Sequence, residues 1–531
     1  MKYSTYEFST LAELLEKSAA LYSERPFSQF VDGGQPFTYS SFYAKVNEIS
    51  TLFDEYGLVP GDKVAILSEN MPHWTVAFLA ANTTGRVAVP MLPGCSKAEA
   101  DNIISHSESK ALIVSKSQIG KVSDSVKENL SLVVMIEDFS VISGTKADIP
   151  VKIEKKPQAG DMAAIIYTSG TSGNAKGVML SHQNLCQNVK AAFYAQPAHC
   201  QDRFLSILPM GHAYEMSFGM LYPIYVGACV SYIKGLPTPA ILLPAMEKVR
   251  PSLMLSVPLV MEKIYKGIMK KVDSSKALQW LQKYIPFLFY SLIGRTLKQK
   301  VGGKMKFFGI GGAKLNPTVE TFLKNTHFPY AIGYGLTETA PLITFAAVKK
   351  TRVGSCGVNA LNVEVKLDNV NNGVGEIITR GPNVMLGYYK DPERTRQVIT
   401  EDGWFHTGDL ASVDKKGRYY INGRLNCMIV GSSGENIYPE EIEQVINSYP
   451  GVNESLVVER ENRLVALVTL EDGLRDTMDD LRDTMDDLRK SIQIYVNKRV
   501  NNQSSIANVE IMKEPFKKTA TQKIRRILYK E

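Results

Sequence analysis

The chain has 531 residues, of which 44% are hydrophobic and 22% are charged. This length exceeds what one hydrophobic core supports, and the composition excludes a disordered or fibrous chain. Sixty-one basic and 54 acidic residues give a net charge of +7, an excess that suits anionic ligands but is too small to indicate a nucleic-acid-binding protein. We therefore expect at least two domains and no nucleic-acid partner.

The six cysteines are scattered, with no pair spaced C-x-x-C, which argues against a zinc site or a redox pair. The N-terminus lacks the apolar core of a signal peptide, and no run approaches the roughly 18 apolar residues of a spanning helix, so a cytoplasmic location is expected. The most apolar stretch, 285–294, is short and precedes a basic region, 298–306. This pair leaves open a weak peripheral membrane contact, although a solvated face is the favoured interpretation.

Short runs rich in β-branched and apolar residues alternate with helical patterns through the first two-thirds of the chain. This alternation is typical of an α/β architecture with buried strands. The predicted strands include 63–67, 111–115, 132–136, 163–167 and 306–310, and the predicted helices include 71–84 and 239–249.

After about Arg380 the segments shorten and turn residues become frequent, and this pattern predicts a hinge at 423–426. A helix from Pro439, a strand at 464–470 and a long helical region follow it. We therefore predict a large domain over 1–423 and a small domain over 424–531. The heptad Leu-Arg-Asp-Thr-Met-Asp-Asp occurs twice, at 474–480 and 481–487, and predicts a lengthened, solvated helix.

The strongest motif is a loop rich in glycine and hydroxyl groups, Tyr167-Thr-Ser-Gly-Thr-Ser-Gly-Asn-Ala-Lys-Gly177. Its glycines let the backbone approach a ligand, its four hydroxyl groups supply donors, and Lys176 supplies a positive charge. The loop of kinases and ATPases has a different pattern, because Ala175 precedes the lysine here and Gly177 follows it. The sequence therefore predicts another type of polyphosphate site, before a helix capped by Ser181.

The stretch 166–177 resembles the signature of the adenylate-forming superfamily, which includes acyl-CoA synthetases, firefly-type luciferases and peptide-synthetase adenylation domains. The resemblance implies an α/β fold, with a large N-terminal α/β domain of several sheets with packed helices and a small mobile C-terminal α+β domain. It also implies ATP and Mg²⁺ as cofactors. The implied nucleotide-binding residues of this loop are Thr168, Ser169, Gly170, Thr171, Ser172, Gly173 and Lys176, and Lys176 is also expected to be catalytic.

Two segments further along the chain resemble other motifs of the same family. Tyr334-Gly-Leu-Thr-Glu-Thr-Ala-Pro341 resembles the motif whose glutamate holds magnesium, which implies Glu338 and Thr168 as metal ligands. Gly309-Ile-Gly-Gly-Ala-Lys-Leu315 resembles the strand and turn on the adenine side of the nucleotide. The implied nucleotide-binding residues of the two regions are Gly311, Gly312, Ala313, Gly333, Tyr334, Gly335 and Thr337.

The resemblance continues to the end of the chain. The segments 403–409 and 420–424 imply that Asp409 accepts hydrogen bonds from both ribose hydroxyls, and that Ile421 and Arg424 also contact the nucleotide. The tail 517–526 implies that Lys523 is a mobile catalytic lysine, which bridges the attacking carboxylate and the α-phosphate. Two positions depart from the family pattern: Asn426 replaces a hinge Lys or Asp, and Gln522 replaces a glycine.

The implied reaction has two steps. A carboxylate attacks the α-phosphorus of ATP, which gives an acyl-adenylate and pyrophosphate. The small domain then rotates, and the thiol of coenzyme A attacks the mixed anhydride. Mg²⁺, Lys176 and Lys523 offset the repulsion between the two anionic reactants, and no cysteine is needed as a nucleophile.

The segment Leu208-Pro-Met-Gly-His-Ala-Tyr-Glu215 resembles the one whose histidine lies near the acyl pocket, although His212 fits a packed core histidine equally well. With the segments 430–439 and 516–523, it is most similar to bacterial long-chain fatty acyl-CoA synthetases. The expected partners are therefore a fatty acid, ATP and coenzyme A. The alternatives are a ligase for a carrier protein, an enzyme for aryl or amino acids, and a non-catalytic nucleotide-binding member; the oligomeric state stays open.

Overall fold

The protein is described by a computed structural model, which covers residues 5–153, 155–169, 175–235, 237–430, 436–461, 463–471, 482–519 and 524–529. The chain divides into two compact units. The first contains Met1–Val365 and Thr379–Phe405, and the second contains Lys366–Ile378 and His406–Glu531. The predicted domain boundary at residues 423 and 424 falls inside the second unit. The predicted boundary concerns which residues move together as one domain, and it stays a prediction.

A nine-stranded sheet lies in the first unit, with its strands numbered here in chain order. Its central strands are parallel, and the outer pairs at both edges are antiparallel. Across the sheet the order is β16 (Val358–Asn359), β15 (Leu342–Ala346), β14 (Tyr330–Gly335), β13 (Phe307–Ile310), β12 (Leu253–Ser256), β10 (Arg203–Ser206), β11 (Cys229–Tyr232), β1 (Pro26–Phe30) and β2 (Phe37–Thr38).

An eight-stranded sheet in the same unit has a parallel centre and antiparallel edges. Its order is β19 (Gly387–Tyr388), β9 (Ala175–Ser181), β8 (Met162–Ser169), β4 (Val87–Met91), β3 (Lys63–Leu67), β5 (Ser109–Val114), β6 (Leu132–Met135) and β7 (Val141–Gly144). The strands β3 and β4 are almost entirely buried, as expected for parallel strands covered on both faces.

Helices connect and cover these strands. In the first unit they are α1 (Leu11–Tyr22), α2 (Tyr39–Glu55), α3 (Pro72–Asn82), α4 (Lys97–Ser107), α5 (Asp124–Glu128), α6 (His182–Ala195), α7 (Ala213–Glu215), α8 (Tyr222–Val226), α9 (Pro239–Val249), α10 (Pro258–Asp273), α11 (Lys276–Tyr284), α12 (Pro286–Lys300), α13 (Pro317–Asn325) and α14 (Pro392–Val398). Along the described part of the chain, no helix combines the length and apolar character that crossing a bilayer requires.

The start of α6 shows how the local sequence sets an element that positions the candidate site. Ser181 accepts a hydrogen bond from the backbone N–H of Asn184, and the Asn184 side chain accepts one from the backbone N–H of Ser181. This reciprocal cap satisfies two otherwise unpaired donors at the helix start. The predicted role of Ser181 as a helix cap is confirmed.

The second unit contains three smaller sheets. The first has the order β17 (Glu364–Asn371), β18 (Val374–Arg380), β20 (Phe405–Val413) and β21 (Tyr419–Arg424), the second pairs β22 (Ile429–Val430) with β23 (Asn436–Ile437), and the third is β24 (Val452–Arg460), β25 (Arg463–Leu470) and β26 (Asn508–Ile511). The helices α15 (Pro439–Ile446) and α16 (Arg482–Asn497) pack on β24 to β26 around a separate apolar core, which contains Ile442, Val468 and Ile492.

The predicted α/β class is confirmed, and the predicted strands correspond to β3, β5, β6, β8, β13 and β25. The predicted helices 71–84 and 239–249 are α3 and α9, and the helix predicted from Pro439 is α15. Of the repeated heptads, 474–480 and Leu481 lie outside the described residues. The remainder of the second copy begins α16, where Leu488 packs against the core.

Candidate active site

The phosphate-loop motif lies on the hairpin formed by β8 and β9. Thr168 and Lys176 are directly opposite each other in this antiparallel pair, so their side chains share one face of the sheet. Ser169 is the last residue of β8. The predicted ligands Gly170, Thr171, Ser172 and Gly173 lie outside the described residues, and their roles stay predictions.

A tyrosine links the lysine of this hairpin to the glutamate of the metal motif. The Lys176 Nζ donates to the Tyr388 hydroxyl at 3.5 Å and lies 4.9 Å from the centre of its ring. The Tyr388 hydroxyl in turn donates to Glu338 Oε1 at 3.0 Å. Tyr388 reaches this position because β19 pairs with β9, opposite Val178. Three side chains distant in sequence thus form one continuous polar chain.

The Tyr388 hydroxyl is a permanent proton donor at neutral pH. Burial raises the pKa of Tyr388 well above its usual value, and the negative charge of Glu338 raises it further. The hydroxyl therefore holds one carboxylate oxygen without neutralising the charge. A second hydrogen bond fixes the backbone of Glu338, because its carbonyl oxygen accepts from the backbone N–H of Met385 at 2.9 Å.

The donor set at this point fits a hard divalent cation. The half-buried Glu338 offers a charged oxygen beyond the one held by Tyr388, and the Thr168 hydroxyl stands opposite Lys176 on the neighbouring hairpin. Carboxylate and hydroxyl oxygens are the ligands that Mg²⁺ takes, usually together with substrate phosphates. The predicted metal pair, Thr168 and Glu338, is compatible with this arrangement.

The glycine-rich segments lie at the ends of β13 and β14, where three of the glycines leave little or no room for a side chain. A Cβ atom added at Gly309 or Gly311 would lie 3.0 or 3.3 Å from the ring or hydroxyl of Tyr214. One added at Gly335 would collide with the Pro341 carbonyl oxygen, and Gly312 has a φ of +87°, which favours glycine. The other predicted nucleotide-binding residues here, Ala313, Gly333, Tyr334 and Thr337, belong to the same two segments.

A narrow apolar cavity of about 60 Å³ lies beside these glycines. Gly309 and Gly333 form part of its wall, together with Tyr214. No charged side chain is among its described lining residues, which also include Ala192, Ala195, Gln196, Phe204, Phe218, Tyr222, Leu253, Leu255, Phe307, Leu342 and Phe345. His212 immediately precedes α7, the short helix that carries Tyr214, and it is half-buried.

Glu215 is a buried carboxyl that the sequence patterns did not single out. It ends α7, before a π-helix at Met216–Leu221, and its exposed fraction is 1%. Burial raises the pKa of Glu215 to about 8, while a hydrogen bond with Ser206 acts in the opposite direction. Among the described residues its Oε2 has no hydrogen-bond partner. Glu215 is therefore mostly protonated at neutral pH.

The predicted ribose ligand lies in the second unit, on β20. Asp409 is opposite Arg424 of β21, and Arg424 Nε is 2.9 Å from Asp409 Oδ1. The backbone N–H of Asp409 donates to the Thr407 hydroxyl, and Ile421 lies on the same strand as Arg424, opposite Ala411. The structure brings the three predicted residues Asp409, Ile421 and Arg424 onto one hairpin.

The predicted mobile lysine, Lys523, lies outside the described residues. On either side of it, Lys518 and Ile524 form an antiparallel bridge, and the Tyr529 hydroxyl accepts from the backbone N–H of Lys517. Arg526 is anchored to Glu443 by an ion pair. The described residues on both sides of Lys523 are therefore held to the second unit by these contacts.

Sequence patterns missed Tyr388 and Tyr214. Tyr388 belongs to no motif, and its partner Lys176 is 212 residues away. Tyr214 was quoted as part of the segment around His212, but nothing in that segment indicates packing against the glycines of β13. Both positions depend on strand order.

Comparison with known proteins identifies the family. A model of the AMP-binding enzymes matches residues 15–389, and one of the AMP-binding enzyme C-terminal domain matches residues 426–530. The chain therefore belongs to the AMP-binding, or adenylate-forming, enzyme family, as the motifs implied.

Individual relatives differ in their acids. Long chain acyl-CoA synthetase 1 of Arabidopsis thaliana is 30% identical over 77% of this chain and 69% of its own. A feruloyl-CoA synthase of an Amycolatopsis species is also 30% identical, over 80% of this chain and 81% of its own. The fold matches the o-succinylbenzoate coenzyme A synthetase of Bacillus subtilis, solved with ATP and a magnesium ion, with a TM-score of 0.79, 21% identity and coverage of 98% and 99%.

Proposed function

We propose that this protein uses ATP and Mg²⁺ to convert a long-chain fatty acid into an acyl-adenylate, and then transfers the acyl group to coenzyme A. Its family supports adenylation of a carboxylic acid. The choice among acids is supported by one observation above others: the cavity beside β13 and β14 is apolar, with no charged side chain among its described lining residues. An amino-acid substrate would need a buried acid there for its amine.

The residues of the first unit have distinct proposed roles. Lys176 attracts the polyphosphate, Thr168 and Glu338 hold the metal ion, and Tyr388 orients Glu338. A bound Mg²⁺ supplies positive charge beside the phosphates. The glycines of β13 and β14 accept the flat adenine against the backbone, and His212 lies on the acyl side. Lys523 is the proposed cation between the attacking carboxylate and the α-phosphate.

The cavity is far below the roughly 300–1,000 Å³ of typical ligand sites, so an acyl chain of twelve or more carbons requires lining side chains to move. Phe345 of β15 is a candidate because it is only half-buried and lies opposite Gly333. Movement of such a side chain would enlarge the cavity. The alternative substrate is an aryl acid, which is shorter and flat.

The test is a screen of pyrophosphate release with acids from acetate to oleate, benzoate, ferulate and amino acids. Each acid is assayed alone, with coenzyme A and with a phosphopantetheinylated carrier protein. We expect the fastest release with long-chain acids and thioester formation with coenzyme A. A preference for ferulate or an amino acid would contradict the substrate, and thioester formation only on the carrier protein would contradict the acceptor. Absence of pyrophosphate release with every acid would contradict catalysis itself.

A further inference from the structure

The positive charge of the chain is concentrated on three consecutive helices. The segment from Pro258 to Lys300, which contains α10, α11 and α12, has nine basic and two acidic residues, a net charge of +7. The whole chain has the same net charge, so its other residues balance at 52 basic and 52 acidic. Eight of the nine basic side chains are exposed. This segment therefore carries a strong local excess of positive charge, whereas the charges of the remaining residues cancel in total.

The same segment exposes large apolar side chains. Of the 22 large hydrophobic residues that are exposed in the described part of the chain, six lie between Trp280 and Leu292. Phe287 is 83% exposed and Trp280 is 55% exposed, whereas Trp74 and Trp404 are buried. Exposed apolar residues are ordinarily scattered singly, so a group of six within 13 residues indicates an interaction surface.

These side chains surround the corner at which α11 ends and α12 begins. We define the apolar corner as Trp280, Tyr284, Ile285, Phe287, Leu288 and Leu292. The rings of Trp280 and Tyr284 are 5.6 Å apart, and the Lys283 ammonium lies 5.2 Å from the centre of the Tyr284 ring. The corner is supported from within, because Phe289 and Leu297 of α12 are buried. Its outer side chains are thus not needed for the core, and α11 has no buried residue.

We propose that the apolar corner inserts into the interface of an anionic lipid bilayer, while the lysines around it contact the lipid phosphates. Amphipathic aromatic side chains favour the headgroup level of a bilayer, and basic residues beside them add electrostatic attraction to anionic lipids. A flat acidic protein surface would satisfy the lysines but would leave the apolar corner against polar groups. This surface assignment does not depend on which acid the enzyme activates.

The test is co-sedimentation of the full-length protein with vesicles of phosphatidylcholine alone and of phosphatidylcholine mixed with phosphatidylglycerol. We expect binding to the anionic vesicles and not to the neutral ones. Binding should also shift the tryptophan emission to shorter wavelengths, because Trp280 is the exposed tryptophan of three. The variant Trp280→Phe should lose this shift and keep most of its binding, which assigns the signal to the corner.

Two variants separate the apolar and the electrostatic contributions. Phe287→Ser combined with Leu288→Ser should reduce the vesicle partition coefficient at least about tenfold. Lys270→Gln combined with Lys271→Gln should reduce it by about fivefold for each lysine removed. The matched controls are Ile149→Ser, which is 82% exposed elsewhere, and Lys415→Gln with Lys416→Gln on another exposed turn. The controls should bind as the unaltered protein does.

Retained adenylation in solution shows that each variant is folded. Equal binding by corner and control variants, or equal binding to neutral and anionic vesicles, would overturn the proposal. So would an absence of vesicle binding accompanied by lysine-dependent binding to an acidic carrier protein, which would assign the surface to a protein. These results are independent of the acid screen, so failure of one proposal is distinguishable from failure of the other.

Discussion

Two carboxylates predicted to contact the nucleotide are held in opposite ways. In the first unit Glu338 accepts a hydrogen bond from the neutral hydroxyl of Tyr388, with Lys176 one step further away. In the second unit Asp409 is paired directly with the guanidinium of Arg424. The first carboxylate therefore keeps its negative charge available, while the charge of the second is already compensated by its neighbour.

The difference corresponds to two different tasks. A metal ligand must offer charge to a cation, and a neutral donor that fixes only one oxygen leaves that charge intact. A ribose ligand must present acceptor oxygens in a fixed position, and the ion pair with Arg424 holds the Asp409 carboxylate in place. The predictions below run from the largest expected effect to the smallest, and those on Glu338 and Asp409 test this division directly.

Lys523→Ala should lower pyrophosphate release roughly a thousandfold, because the cation between carboxylate and α-phosphate is gone. The same variant, supplied with pre-formed acyl-adenylate, should still make the thioester. Two parallel assays measure the two half-reactions. Lys517→Ala is the matched control, since it removes an exposed lysine from the same tail. Equal loss of both half-reactions in a folded Lys523 variant would contradict a lysine that acts in adenylation alone.

Glu338→Gln should raise the Mg²⁺ concentration that adenylation requires by at least about a hundredfold, because a charged ligand becomes neutral. Tyr388→Phe should raise it less, since the carboxylate remains and loses only its orienting hydrogen bond. The measurement is the rate of pyrophosphate release against Mg²⁺ at saturating ATP. A larger effect from Tyr388→Phe than from Glu338→Gln would reverse the roles assigned to the two side chains.

Asp409→Ala should weaken nucleotide binding at least about tenfold in both half-reactions, because hydrogen bonds to a charged group are worth roughly 1.5–3 kcal/mol each. Calorimetric titration with ATP and with AMP measures this loss. Arg424→Ala is the companion variant, and it should weaken binding less if its main role is to orient Asp409. An unchanged nucleotide affinity of the Asp409 variant would show that another residue holds the ribose.

Glu215→Gln should alter the pH dependence of stability. The pKa of Glu215 is raised in the folded protein to about 8, so its buried neutral form stabilises the fold at low pH. This contribution falls by about 1.4 kcal/mol per pH unit between pH 4.5 and 8, as protons leave the unfolded state first. Glutamine stays neutral, so the free energy of unfolding of the variant should exceed that of the unaltered protein increasingly as the pH rises. Parallel pH profiles from urea unfolding would contradict a buried, protonated Glu215.

Local patterns were sufficient to predict several strands and helices of the first unit. The strand β3 and the helix α9 have the predicted bounds, because a short run of buried apolar residues and a helix that starts at a proline are determined by neighbouring residues. The motif residues on β8 and β9 were recognised from their glycines, hydroxyl groups and lysine, whereas those on β13, β14, β20 and β21 were assigned through the resemblance to the adenylate-forming family. The predicted domain boundary at residues 423 and 424 stays a prediction, because the compact units follow long-range packing and do not report which residues move together.

The sequence by itself determined the chemical groups available to this protein: the lysine and hydroxyl groups of the phosphate loop, the carboxylates at 338 and 409, and the glycines around them. Only the tertiary structure decided which group each carboxylate contacts, that Tyr214 lies against the glycines of β13, and that Trp280, Tyr284 and Phe287 are exposed beside basic residues of the same helices. The reason is physical. A motif specifies a residue through its near neighbours, whereas strand pairing and helix packing join residues that are hundreds of positions apart.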